Sequence, residues 1–151
     1  LLLVGSGDNQ HISCESELRT YIRSNRLEKY ITITGYVDNV HEYLQCSDYF
    51  LFPSESEAFG ISIIEALACE LPVITTNVDG IIDIIEHRVN GLLINVNDDQ
   101  ALKENILWCL ENLEKAKVLG IKGRKTVQQR YSIDTIAEMH FKTFLDIQKP
   151  A

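Results

Sequence analysis

Two glutamates and the glycine between them carry the chemistry this sequence offers most openly. Glu57 stands three residues before Gly60, and Glu65 stands eight residues after Glu57. If a helix begins at Gly60, the free N–H groups around Gly60, Ile61 and Ser62 suit a phosphate or diphosphate, helped by the positive end of the helix dipole. Gly60 has no Cβ and lets a ligand approach the backbone closely. At a rise of about 1.5 Å per residue, Glu65 starts roughly one and a half turns above that end, its side chain leaning back toward it. A ribose joined to the phosphate then comes within reach of Glu65, whose carboxylate can accept from two hydroxyls. Glu57 faces whatever hangs from the other phosphate. The plainer alternative is chance, because two glutamates at this spacing are common and usually lie on a solvated face.

The elements that must position these residues are legible on either side. Tyr49-Phe50-Leu51-Phe52 is an apolar and aromatic run ended by Pro53, the pattern of a buried strand. Pro72-Val73-Ile74-Thr75-Thr76 is a second β-branched run, with Pro where a strand tolerates it. Between them Ile61, Ile64, Glu65, Leu67 and Ala68 fit a helix of about two to three turns. Strand, loop, helix and strand make one βαβ unit of a parallel sheet, whose ligands sit at the carboxyl ends of the strands. The loop Ser54–Gly60 is therefore the place to look for chemistry.

The whole frame, P-S-x-x-E-x-F-G-x-x-x-x-E-A-x-A-x-x-x-P-V-I-x-T over residues 53–76, resembles the glycosyltransferase group 1 family, retaining sugar transferases of the GT-B fold. The resemblance implies an α/β domain, the C-terminal and donor-binding half of that fold: a Rossmann-like parallel sheet of about five or six strands with helices on both faces. It implies that Glu57, as the catalytic-site carboxylate, and the backbone near Phe59, Gly60, Ile61 and Ser62 hold the sugar and phosphate of a nucleotide-diphosphate-sugar, and that Glu65 holds the ribose. A G-[FY]-V step, here Gly35-Tyr36-Val37, is shared too, and implies that Tyr36 and Val37 edge the base. Gly35 to Asn39 also reads as an ordinary turn with Asp38 capping a helix over Val40–Gln45. The family uses no metal and no cofactor beyond the donor; an Arg and a Lys on the domain's first strand-loop neutralise the leaving diphosphate. That segment falls before Leu1. One departure is Glu70, where the family has glycine at the helix end; a non-glycine residue held left-handed there costs about 1 kcal/mol.

Elsewhere the chain alternates in the same way. Leu1–Val4 reads as a strand and Gly5-Ser6-Gly7-Asp8 as a turn, a G-x-G too short for a dinucleotide fingerprint. Glu15–Ser24 reads as a helix, Ile31–Thr34 as a strand, Asn77–Gly80 as a turn, and Asn90-Gly91 as the turn before strand Leu92–Ile94. Asp98 or Asp99 can cap a helix over Gln100–Leu113, with Trp108 packing inside. A helix over Ala116–Arg130 is weakened in its centre by Gly120 and Gly123. Ser132 caps a last helix bearing Ile133, Ile136, Ala137, His140, Phe141 and Phe144 at helical spacing, with His140 read as a packed histidine. In the resembled fold the final helix crosses back to the other half.

Composition bounds the rest. The 151 residues suit one domain, and Leu1 opening inside a strand reads as a piece of a longer polypeptide. Fourteen basic against twenty-two acidic residues, a formal charge of -8, disfavour a nucleic-acid partner. No apolar run reaches the ~20 residues of a membrane helix. Cys14, Cys46, Cys69 and Cys109 show no C-x-x-C and read as reduced, mostly buried thiols of a cytoplasmic protein. His11, His41, His87 and His140 show no zinc spacing, and D-x-D, Walker and G-x-S-x-G motifs are missing. The expected activity is transfer of a sugar from a nucleotide-diphosphate donor to a sugar or lipid-linked acceptor, in polysaccharide assembly, with the GT-B N-terminal domain as partner and room for peripheral membrane contact through that half. The alternative is a nucleotide-sugar-binding or partner-binding subunit that performs no transfer; a nucleotide-sugar epimerase fits the E-x-F-G frame less well.

Overall fold

The computed structural model describes residues 1–7 and 14–147, and Asp8 and His11 lie outside them. The chain divides into two compact units, Leu1–Tyr43 and Leu44–Ala151. In the first, β1 (Leu2–Val4) pairs in parallel with β2 (Thr32–Gly35), Leu2 opposite Thr32. The register slips after Leu3, and the Gly5 N–H donates to the Gly35 carbonyl at 3.1 Å. Helix α1 (Glu15–Ser24) has the expected bounds. Its Glu15 accepts from the Gly7 N–H at 2.7 Å, fastening the turn after β1 to the helix start. That bond, and then Arg19, hold the Glu15 carboxyl below the usual carboxylate range. Asn39, not Asp38, immediately precedes α2 (Val40–Gln45), and its side-chain amide donates to Glu42 at 2.7 Å.

The second unit is a three-stranded parallel sheet, β3 (Phe50–Phe52), β4 (Val73–Thr76) and β5 (Leu92–Ile94), in the order β3-β4-β5. The five expected strands thus fall into a pair and a triplet. Alternation along each strand sends residues to opposite faces. Phe50, Phe52, Val73 and Leu93 join a core with Ile63, Ala66 and Leu67 of α3 (Ile61–Ala68) and with Ile81 of α4 (Asp79–Ile82). Leu51, Ile74, Leu92 and Ile94 join a second core with Cys109 of α5 (Asp99–Glu111) and with Ala116 and Leu119 of α6 (Leu113–Arg130). The triplet is therefore covered on both faces. Only Cys109 of the four thiols is buried, and burial pushes it up to about 11; Cys14 and Cys46 are exposed, because their short helix ends face solvent and not a core.

Helix ends follow local chemistry. Asp98 Oδ1 accepts from the Ala101 N–H at 2.9 Å, and Ser132 Oγ from the Thr135 N–H at 3.2 Å, both as expected. α6 begins at Leu113, three residues earlier than its pattern suggested, because Asn112 ends one helix and starts the next. Helix α7 (Ile133–Ile147) buries no residue, and His140 is exposed, not packed. After α3 the Leu71 N–H donates to the Ala66 carbonyl and the Glu70 N–H to the Leu67 carbonyl, a Schellman closure that places Glu70 at φ 61°. Its carboxylate meets Arg124 at 3.3 Å on the surface, a weak compensation. Glu70→Gly is expected to raise stability by roughly 0.5–1 kcal/mol, read as the urea midpoint; a lower midpoint would show that the ion pair outweighs the backbone cost.

Gly120 and Gly123 do not mark a weak centre of α6. They are where α6 crosses the end of α3: a Cβ on Gly120 would overlap the Glu70 carbonyl, and one on Gly123 would strike the Leu67 side chain. Helix propensity is given up for close approach.

Candidate functional site

The loop from Pro53 to Gly60 leaves the carboxyl end of β3 and is tied down along its length. Thr75 Oγ1 donates to the Phe52 carbonyl at 2.8 Å, and Thr76 Oγ1 to the Ser54 carbonyl at 2.5 Å. Both threonines are buried at the end of β4, where a β-branched hydroxyl supports strand and loop at once. Ser54 Oγ donates to the Ser56 carbonyl at 2.7 Å. From the other side the Gly80 N–H donates to the Glu57 carbonyl at 3.1 Å. Gly80 lies inside α4 and does not turn the chain. A Cβ there would overlap the Glu57 carbonyl oxygen and sit 2.6 Å from the Ala58 carbonyl carbon. Thr75, Thr76 and Gly80 escaped sequence reasoning; in a strand pattern threonine reads as β propensity, and the contact of Gly80 is long-range.

At the end of the loop Gly60 takes φ 83°, ψ 44° and caps α3 in the left-handed region, which explains glycine here independently of any ligand. Glu57 Oε1 accepts from the Phe59 N–H at 3.2 Å and the Gly60 N–H at 3.1 Å. These bonds, Phe59 first, hold its carboxyl below the ordinary range. Glu57 is thus an anion at neutral pH, an acceptor and not a general acid. Two of the amides that the sequence offers to a phosphate are turned toward Glu57. The N–H groups of Ile61 and Ser62, in the first turn of α3, have no acceptor among the described residues.

The helix then divides cleanly. Ile63, Ala66 and Leu67 are fully buried, while Ile61, Ser62 and Glu65 form an exposed stripe at helical spacing. Glu65 therefore stands in solvent above the open end of its own helix. Phe59 is half exposed, with its ring edge-on to Tyr131 at 6.0 Å. Tyr131 also donates its hydroxyl to the Asp83 carbonyl at 3.1 Å, beside Arg130 at 2.8 Å, so the α6–α7 junction reaches the loop. Glu57, Phe59, Gly60, Ile61, Ser62 and Glu65 are all brought onto one strand-loop-helix. Tyr36 and Val37 lie in the first unit, after β2, where Gly35 takes φ 73° and Tyr36 is exposed. Among the described residues no three His, Cys, Asp or Glu side chains group as metal ligands.

Residues 1–126 match the family described as glycosyl transferases group 1. N-acetyl-alpha-D-glucosaminyl L-malate synthase of Bacillus anthracis is 31% identical over 147 residues, 97% of this chain and 37% of that protein. The capsular polysaccharide biosynthesis glycosyltransferase CapM of Staphylococcus aureus is 30% identical over 148 residues, 96% of this chain and 38% of its own. Among solved structures, Anabaena Alr3699/HepE in complex with UDP-glucose superposes with a TM-score of 0.88 at 26% identity, over 96% of this chain and 40% of that one. A glycosyltransferase from Rickettsia africae ESF-5 gives 0.90 at 27%, over 99% and 40%. The chain thus spans well under half the length of these relatives. On the strength of the family match, the chain belongs to the glycosyl transferases group 1 family.

Proposed function

We propose that these residues are the donor-binding domain of a retaining glycosyltransferase of the GT-B fold, which moves a sugar from a nucleotide diphosphate to a sugar or lipid-linked acceptor. The bond between the anomeric carbon and the diphosphate oxygen breaks, and the nucleoside diphosphate leaves. The acceptor hydroxyl bonds to the same face of that carbon and passes its proton to the departing diphosphate oxygen. One observation carries the reading: the open first-turn amides of Ile61 and Ser62 lie below an exposed Glu65 on one helix face, beside an ionised Glu57. The diphosphate sits on the amides and the positive helix end. Glu57 accepts from the sugar hydroxyls, for which it must release Phe59 and Gly60; Glu65 accepts from the ribose. Tyr36 and Val37 edge the base, a role that rests on the family likeness alone. The solved relative with bound UDP-glucose makes a uridine nucleotide the first donor to try.

Acceptor and partner contacts belong to the N-terminal half, and no cofactor beyond the donor is proposed. No helix among the described residues is long and apolar enough to cross a membrane. We place the protein in the cytoplasm, with any membrane contact peripheral and made through the other half. In the full-length protein Glu65→Ala is expected to weaken UDP-sugar binding by about 1–3 kcal/mol, through lost charge-assisted hydrogen bonds, read by calorimetry. Unchanged affinity removes Glu65 from the ribose. Donor binding without hydrolysis or transfer would instead favour a binding subunit.

A further inference from the structure

A cavity of about 560 Å³ opens on the face of the β3-β4-β5 sheet that α5 and α6 cover, within the size range of small-molecule sites. Its floor includes Leu92, the first residue of β5, and Leu119, both buried. It therefore reaches the amino-terminal side of the sheet, whereas the Glu57 loop leaves from the carboxyl ends of the strands. Trp108 of α5, half-buried, forms one wall, and Lys115 and Lys122 of α6 stand two turns apart on another. His87 and Arg88, in the turn before β5, complete this part of the lining.

The charge here runs against the chain. Helix α6 carries six of the fourteen basic residues and a single acid, Glu114, in a chain of formal charge -8. Lys117 pairs with Glu114 at 3.0 Å and Arg124 with Glu70 at 3.3 Å, and both lie outside the cavity. Lys115, Lys122 and Arg88 line it, and among the described residues none has a carboxylate within ion-pair distance. The cavity's acid, Glu104, accepts from Gln100 at 2.7 Å. His87 Nδ1 accepts the Leu93 N–H at 2.9 Å, which leaves Nε2–H as a further donor. Three cations that outnumber the single carboxylate of Glu104, with a neutral donor beside an indole wall, form a site for an anion attached to a planar ring.

We propose that this cavity is a second ligand site, for a nucleoside monophosphate, with the phosphate among Arg88, Lys115 and Lys122 and the base against Trp108. The test is calorimetry on the full-length protein saturated with UDP-glucose, titrated with AMP, ribose 5-phosphate and inorganic phosphate. AMP is expected to bind most tightly and inorganic phosphate least, because only AMP adds the ring contact. The double variant K115E/K122E is expected to weaken AMP at least about tenfold, and Arg88→Gln by a smaller factor. UDP-glucose affinity should stay within about twofold in both variants, and Glu65→Ala should leave AMP binding unchanged, so that a failure here is distinct from a failure of the donor assignment. No AMP binding, equal affinity for AMP and inorganic phosphate, displacement of AMP by UDP-glucose, or AMP binding that survives the charge reversal would each overturn the proposal.

Discussion

Gly120→Ala is expected to cost on the order of 3 kcal/mol or more of stability, the upper end of overpacking effects, with the denaturant midpoint falling accordingly. Elsewhere in a helix interior this substitution would stabilise by about 1 kcal/mol, since alanine forms helix better than glycine. The sign reverses here because α6 lies against the backbone that closes α3. A Cβ on Gly120 would overlap the Glu70 carbonyl oxygen, 2.7 Å from its carbon and 3.1 Å from the Leu71 carbonyl carbon. Those atoms are backbone of Glu70 and Leu71, the two residues of the Schellman closure ahead of β4, so no side-chain rotation relieves the overlap. At Gly123 the nearest atom is a Leu67 methyl, which can move, and Gly123→Ala should cost less. A midpoint for Gly120→Ala at or above that of the natural chain would mean that α6 can ride outward freely, against the close packing of its buried Leu119 and Val127.

Gly80→Ala has the second large effect, and it divides between stability and binding. Its new methyl would press on the Glu57 carbonyl oxygen and lie 2.6 and 2.7 Å from the Ala58 carbonyl carbon and oxygen. Either α4 moves away, costing about 2 kcal/mol in the well-packed core around Ile81, or the loop shifts. A shifted loop moves the Glu57 carboxylate and the left-handed Gly60 together, since Glu57 holds the Phe59 and Gly60 amides. Misplacement of the order of 1 Å weakens oriented contacts steeply, so UDP-sugar affinity in the full-length protein should fall at least about tenfold. Calorimetry beside thermal unfolding separates the two routes. If both affinity and unfolding temperature match the natural chain, Gly80 does not hold the loop.

Much of this was legible in the residues alone. The βαβ unit over Phe50–Thr76 announces itself because its signals are local: two apolar β-branched runs, a proline at each boundary, and helical spacing between them. The buried side itself falls on Ile63, Ala66 and Leu67, so that of the residues read as the repeat only Leu67 is buried while Ile61, Glu65 and Ala68 are exposed. A cap at Ser132, and one at Asp98 or its neighbour Asp99, were readable because a cap involves only three or four consecutive residues, whereas the left-handed Glu70 was suggested by the glycine that the resembled family has at that place. Spacing put both glutamates and the first-turn amides on one loop and helix, and the roles proposed for them rest on the family frame over residues 53–76.

Contacts between distant parts of the chain were not readable. That Glu57 would turn back onto the Phe59 and Gly60 amides depends on a loop held by Thr75, Thr76 and Gly80, about twenty residues further along. Gly120 and Gly123 look like helix breakers in one dimension and are contact points in three. His140 looked packed because helical spacing predicts an apolar face but not whether anything covers it, and α7 buries none of its residues. The cavity beside Trp108 draws on β5, the His87–Arg88 turn, α5 and α6, so no stretch of sequence contains it. Periodicity and capping are set by neighbours along the chain, and the sequence alone determined them. Steric fit, pairing of charges and burial of polar groups are set by neighbours in space, and only the tertiary structure decided those.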